Sequence, residues 1–321
     1  HGLTPVFLML NREVAVFDAM RARGIPVRLA KISSDEGEGP KLTNRLHPPS
    51  MRNLDVVVAS TAGGNYMLDF FADHGDGWTR QPVYDELTRL RLLDHDKPVD
   101  VIAALADGLR DSLDYLVVRD TPCTAEGGTI RLVGHRHGVR ADAWIERRGD
   151  RILYRTKGYD LLDLGELSPY DAWSADDRRL HATLRVQCVE TARDADPASW
   201  CTEAQWRRLG RYTSHPDAVG QLAHLYDLDT PGTVNLFPRA GVGYNTIVPG
   251  RHAGEHFHEK DAFVGLWGAP VASLLPDGRP EAAVNGAVPM ALYEFLSGRR
   301  AVTGHDGWGY ASMLPARDLP P

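Results

Sequence analysis

The sequence contains no apolar run of about 18 residues, the length that a bilayer-spanning helix requires. Cysteine is scarce as well: the 321 residues include only three, Cys123, Cys188 and Cys201, an odd number at wide spacing. This spacing fits neither a disulfide framework nor a Cys-x-x-Cys metal knuckle. We therefore expect a chain that does not cross a membrane and that resides in the reducing cytoplasm.

An excess of positive charge is also missing, since the formal net charge is −7 at pH 7. No general attraction to nucleic acid is expected, and a local basic pocket remains open. The glycines in Gly63-Gly64-Asn65 lack the spacing of both the dinucleotide fingerprint and the P-loop. The length fits one large domain or two ordinary ones.

The chain begins with His1 rather than Met, and residues 6–10 already have the composition of a buried strand. No signal peptide is visible. We therefore expect this chain to be part of a longer protein, truncated at its N-terminus.

In the first third of the chain, helical periodicity predicts a helix at residues 13–23. Apolar runs predict strands at residues 25–32 and 54–60. Strand, helix and strand with short links are typical of a parallel sheet covered by helices. We predict an α/β fold: a mostly parallel sheet flanked by helices on both faces, with a small antiparallel subdomain. The predicted division is an α/β core at 1–112 and 214–321, an antiparallel meander insertion at 113–165 and a helical segment at 166–213.

The densest cluster of ligand-type side chains is residues 250–261, which hold three histidines, two glutamates and an aspartate. Imidazole and carboxylate groups suit Zn²⁺ or Mn²⁺. His256 and His258 would share one face of a strand, whereas His252 and His256 would share one face of a helix. The two geometries exclude each other, and a solvated surface loop is the alternative to both.

Gly250-x5-His256-x-His258 is similar to the opening of the cupin metal motif. That motif continues with a glutamate four or five residues later, where this chain has Ala262 and Phe263. A cupin-like metal protein that uses His256 and His258 is therefore kept as an alternative.

A second resemblance covers the last third of the chain. A predicted helix at 216–226, a strand at 233–237, a Gly-Tyr-Asn loop, the segment from Gly250 to Gly254 and an apolar run at 262–268 follow one another. This order resembles the closing segment of the alkaline phosphatase superfamily, in particular its type I phosphodiesterase and nucleotide pyrophosphatase branch. The resemblance implies hydrolysis of small phosphate or sulfate esters at two divalent metal ions, and it places the last metal-ligand histidine at His252.

The chain departs from that superfamily at the end of the 54–60 strand, where Thr61 and Ala62 replace two metal ligands. Asp73 and His74 lie nearby and could serve instead. The nucleophile would precede His1, and a degenerate relative that binds a metal or an anion without turnover is the alternative. No nucleic-acid or membrane partner is expected, and a homo-oligomer remains open. The predicted metal ligands are His252, His256, His258, Glu255, Asp73 and His74, and the predicted substrate contacts are Arg251 and Asn245.

Overall fold

The computed structural model describes residues 12–13, 16–32, 38–44, 46–47, 49–61, 64–72, 80–228, 231–244, 254–260 and 287–301. The chain divides into two compact units, residues 1–261 and 262–321. The strands are β1 Arg12–Glu13, β2 Leu29–Lys31, β3 Val56–Thr61, β4 Tyr66–Phe70, β5 Leu113–Arg119, β6 Gly127–Arg136, β7 Val139–Arg148, β8 Arg151–Lys157, β9 Cys201–Thr202, β10 Val234–Pro238 and β11 Val242–Gly243. The helices are α1 Asp18–Arg21, α2 Tyr84–Leu87, α3 Val101–Gly108, α4 Ala175–Arg185, α5 Glu203–Gly210, α6 Ala218–Ala223, α7 Phe257–Lys260 and, in the second unit, α8 Ala287–Ser297.

Nine strands of the first unit form one mixed sheet in the order β2-β3-β4-β10-β5-β6-β7-β8-β9. Only β2 and β3 pair in parallel in this sheet, and each other adjacent pair described is antiparallel. The prediction of a mostly parallel sheet is therefore wrong. A separate two-stranded parallel pair joins β1 to β11.

Strand β4 explains the difference. After Gly63-Gly64 the chain returns as a hairpin, so that Tyr66–Phe70 pairs antiparallel with β3. Strand β10 then lies between β4 and β5 and is antiparallel to both. The antiparallel strands expected near residues 113–165 do form, but β6, β7 and β8 continue this same sheet. Hairpin links need only a few residues, whereas parallel neighbours need a crossover.

Strand β5 contributes to the apolar core on both faces of the sheet, because side chains alternate along a strand. Leu116 and Val118 belong to one buried cluster, together with α3, and Tyr115 and Val117 belong to the other, with α5 and α6. Asp100 caps α3 by accepting a hydrogen bond from the Ala103 N–H at 2.8 Å. Strands β6 and β10 also contribute residues to both clusters.

The end of α4 is joined covalently to the edge of the sheet. A disulfide links Cys188, in the π-helical turn Val186–Glu190 that continues α4, to Cys201 of β9. Both cysteines are buried. The wide spacing in the sequence did not predict this pair. No helix in the described part of the chain is long and apolar enough to cross a bilayer.

Candidate functional site

The described part of the dense segment, residues 254–260, lies against the turn that precedes α6. The Phe257 N–H donates to the Ser214 carbonyl oxygen at 2.8 Å, and the Lys260 ammonium donates to the Pro216 carbonyl oxygen at 3.0 Å. Helix α7 begins at Phe257, so His258 lies in a helix. The strand geometry that would have aligned His256 and His258 does not form.

A buried ion-pair cluster stands beside this turn. The His215 Nε2–H donates to Asp114 Oδ2 at 2.7 Å, and the Arg136 guanidinium contacts Asp114 Oδ1 at 2.5 Å. His215 Nδ1 lies 3.3 Å from the carbonyl oxygen of Leu162. His215 therefore joins the start of β5 to the loop that follows β8.

The charged groups in this cluster shift the pKa values of their partners. Burial acts to lower the pKa of His215, but the Coulombic interaction and hydrogen bond with Asp114 outweigh it, and the pKa is raised. Burial acts to raise the pKa of Asp114, but His215 and Arg136 outweigh it, and the pKa is lowered. The two ring nitrogens of His215 are both engaged, one with Asp114 and one with the Leu162 carbonyl oxygen, so neither is free to accept a proton or bind a metal ion.

His256 has the opposite character. Its ring centroid lies 6.1 Å from that of His215, and its Nδ1 is buried with no hydrogen-bond partner among the described atoms. Burial, together with the charge of His215, lowers the pKa of His256 to about 4. His256 is therefore a neutral imidazole at physiological pH, and a neutral ring nitrogen can accept a proton or bind a metal ion.

Aromatic rings surround the exposed side of His256. The Tyr170 ring lies 5.1 Å from the His256 ring and 4.4 Å from the His258 ring, between centroids. The two imidazoles are 5.6 Å apart. Tyr170 is 44% exposed, so this aromatic group borders solvent.

Glu255 points to the interior. Its carboxylate is ion-paired with the Lys260 ammonium, and the two side chains are only 11% and 12% exposed. Burial raises the pKa of Glu255, and Lys260 opposes that rise. Glu255 also acts to raise the pKa of Tyr115, for which burial is the largest cause. The Tyr115 hydroxyl is buried and, like His256 Nδ1, has no hydrogen-bond partner in the described structure.

The turn between β3 and β4 completes the surroundings of the segment. A side chain at Gly64 would come within 2.5 Å of both Glu259 Oε2 and the Gly254 nitrogen. Only a glycine permits this approach. Gly-Gly-Asn is typical of a tight turn, and the structure brings Gly64 against Gly254 and Glu259.

The described residues offer few free ligands for a metal ion. They contain no group of three or more His, Cys, Asp or Glu side chains placed to hold a metal ion. Asp114 is held by His215 and Arg136, and Glu255 by Lys260. Among the described residues of this cluster, the His256 Nδ1 is the buried imidazole nitrogen without a hydrogen-bond partner. The structure thus brings together Glu255, His256 and His258, and the other predicted site residues lie outside the described residues: Asp73, His74, Asn245, Arg251 and His252.

Sequence reasoning did not find Asp114, Arg136, His215 or Lys260. Asp114 and His215 are 101 residues apart, and no local spacing connects them. One signal was present: Asp114 stands at the start of the strongly apolar strand β5, where a charged side chain needs a buried partner. Comparisons with protein-family models, curated proteins and solved structures returned no match.

Proposed function

We propose that this chain is a hydrolase of small phosphate or sulfate esters that works with a divalent metal ion, Zn²⁺ or Mn²⁺. The observation that carries the proposal is His256, a neutral imidazole whose buried Nδ1 has no partner among the described atoms. The resemblance to the alkaline phosphatase superfamily adds the substrate class. The sheet is mostly antiparallel, so the fold does not support that resemblance. The proposal therefore depends on the site.

His256 would be one metal ligand and a Lewis-acid metal would polarise the ester oxygens. The described residues do not complete a ligand set, so no step is assigned to the metal. This chain's own contribution is electrostatic: His215 and Arg136 share the Asp114 carboxylate, Asp163 lies 3.8 Å from His215 and 3.9 Å from Arg136, and Lys260 pairs with Glu255. The local charge is therefore nearly balanced, and an anionic ester is not repelled.

The assay measures hydrolysis of p-nitrophenyl phosphate, bis-p-nitrophenyl phosphate and p-nitrophenyl sulfate, with Zn²⁺, Mn²⁺ or EDTA. We expect metal-dependent turnover that His256→Ala lowers by about 100-fold or more, the usual contribution of one positioned acid, base or ligand. His95→Ala is the matched control, because His95 bonds the Lys97 carbonyl oxygen in the link between α2 and α3. No turnover with any ester, or equal activity of both variants, contradicts the proposal.

A binding protein without turnover is the second candidate. The paired state of Asp114 and Glu255 favours it, because neither carboxylate is free to act as a general acid or base. Calorimetric titration with Zn²⁺, Mn²⁺ and inorganic phosphate separates the candidates. Tight binding without hydrolysis supports the binding protein.

A cytoplasmic location is part of the first proposal. The Cys188–Cys201 disulfide argues for an oxidising compartment instead, because cytoplasmic thiols are kept reduced. Mass spectrometry after thiol alkylation in intact cells decides between the two. A blocked, unalkylated Cys188–Cys201 pair would rule out the cytoplasm as its compartment.

A further inference from the structure

Lys260 has an unusual position for a lysine. Its ammonium donates to the Pro216 carbonyl oxygen at 3.0 Å and is ion-paired with Glu255, while its side chain is only 12% exposed. Lysine is almost never this buried unless it is paired. Removing two charges from water costs free energy that their attraction only partly offsets, so stability alone does not account for such a pair.

The pair closes a short loop around His256. Glu255 stands immediately before His256 and Lys260 four residues after it, and the His256 carbonyl oxygen accepts hydrogen bonds from the Glu259 and Lys260 N–H groups at 2.9 and 3.2 Å. At the other end, the Glu259 carboxylate accepts from the Gly254 N–H. The backbone on both sides of His256 is thereby fixed.

The loop is also fixed to the rest of the first unit. Lys260 bonds Pro216 and Phe257 bonds Ser214, and these two carbonyl groups flank His215 in sequence. The His256 segment is therefore joined to the residues on both sides of His215, by Phe257 at one contact and by Lys260 at the other. A lysine is long enough to reach both Glu255 and the turn.

We infer that Lys260 is a positioning residue, which holds His256 beside His215 and Tyr170 through its contacts with Glu255 and Pro216. The expected effect of Lys260 on turnover rests on the proposed function. The expected effect on the position of the His256 ring does not depend on it. The charged and titratable groups that face His256 are His215, His258 and Asp114. Those that face Glu255, besides Lys260, are His215 and Asp217.

The test compares Lys260→Met, Lys260→Arg and the double variant Glu255→Gln/Lys260→Met. The double variant removes both charges, so that no uncompensated charge stays buried. Arg148→Met is the control for loss of a cation, since Arg148 pairs with Glu146 on the surface. Three quantities are measured at one fixed pH: the thermal midpoint, kcat for the ester that the wild type hydrolyses, and the nuclear Overhauser contact between the His256 and Tyr170 rings.

We expect Lys260→Met to lose the ring contact and to lower kcat by about 100-fold, the effect of roughly 1 Å of misplacement. Lys260→Arg should recover most of both. The double variant should recover the thermal midpoint but neither the ring contact nor kcat. Recovery of all three in the double variant, or an unchanged ring contact in Lys260→Met, overturns the inference. If the wild type hydrolyses no ester, the ring contact and the midpoint still decide it.

Discussion

His215 and His256 show how the surroundings divide two neighbouring imidazoles into different chemical species. His215 faces the Asp114 carboxylate and carries a raised pKa, whereas His256 has a buried, unpartnered Nδ1 and a lowered one. The two contacts of the His215 ring hold it in position, while the His256 ring remains available to bind. This difference is the main chemical feature of the candidate site.

His224 makes a second charged contact away from this site. Its Nδ1 lies 2.6 Å from Asp227 and its Nε2 lies 3.2 Å from Glu203. The hydrogen bond with Glu203 raises the pKa of His224, burial opposes the rise, and the hydrogen bond with Asp227 adds to it. The His224 imidazole thus links the start of α5 to the turn after α6.

We predict that this link stabilises the fold in acid and not in alkali. Because the folded pKa is above the unfolded value of about 6.5, the contribution is fully present below about pH 6.5 and is lost as the pH rises through the folded pKa. A double-mutant cycle with His224→Gln and Glu203→Gln, measured by urea unfolding, should give a larger coupling free energy at about pH 6 than at about pH 9. A coupling that grows with pH would be incompatible with this assignment.

The candidate site was predictable from sequence only in part, and the reason is local. Glu255, His256 and His258 stand within four residues, so their density is visible in the sequence. Their partners His215 and Asp114 come from distant segments that the fold brings together. Pairing across such separations leaves no periodic signal.

Among the elements, the β6–β7–β8 meander was the most predictable, because apolar and polar residues alternate and Arg148-Gly149-Asp150 marks its second turn. The structure pairs Ile130 with Ile145 and Ile145 with Tyr154, as adjacent antiparallel strands require. Strand β4 was not predicted, because Gly63-Gly64-Asn65 indicates a turn that either a helix or a strand can follow. A run of apolar residues after two glycines is compatible with either element.

Gly127, at the start of β6, should not tolerate a side chain. Its φ is +150°, and a Cβ there would overlap the Arg147 carbonyl oxygen of the paired strand. We expect Gly127→Ala to lower the free energy of unfolding by about 1–3 kcal/mol, the usual cost of a residue in such a conformation. Gly165→Ala is the matched control, since a Cβ at Gly165 meets nothing within 4 Å. Equal stabilities of the two variants in urea unfolding would show that β6 relaxes around the new side chain.

For the molecule as a whole, the sequence predicted α and β elements but not their arrangement. The strands of a nine-stranded sheet can pair in many orders, and the order observed places β10 between β4 and β5. The order of the strands depends on which apolar faces cover each other after the chain folds. Val117 and Val234 are both buried. A strand that is covered on both faces is apolar in sequence, and that pattern does not show whether its neighbours run parallel or antiparallel to it.

The Cys188–Cys201 disulfide should stabilise the whole first unit. It closes a loop with a sequence separation of 13 residues, for which loss of chain entropy in the unfolded state is worth about 3 kcal/mol. We expect dithiothreitol, or Cys188→Ala with Cys201→Ala, to lower the thermal midpoint by several degrees. Cys123→Ser is the control, because Cys123 is a free thiol. An unchanged midpoint after complete reduction would mean that packing around the two sulfurs provides the stability.

The two ends of the nine-stranded sheet are short. Strand β2 has three residues and β9 has two, and a further bridge between Lys31 and Lys41 covers part of the β2 side. A long bare margin would offer unpaired amide and carbonyl groups to a neighbouring molecule. In the described sheet, edge strands as short as β2 and β9 offer a strand of a separate molecule few backbone groups with which to begin a fibril.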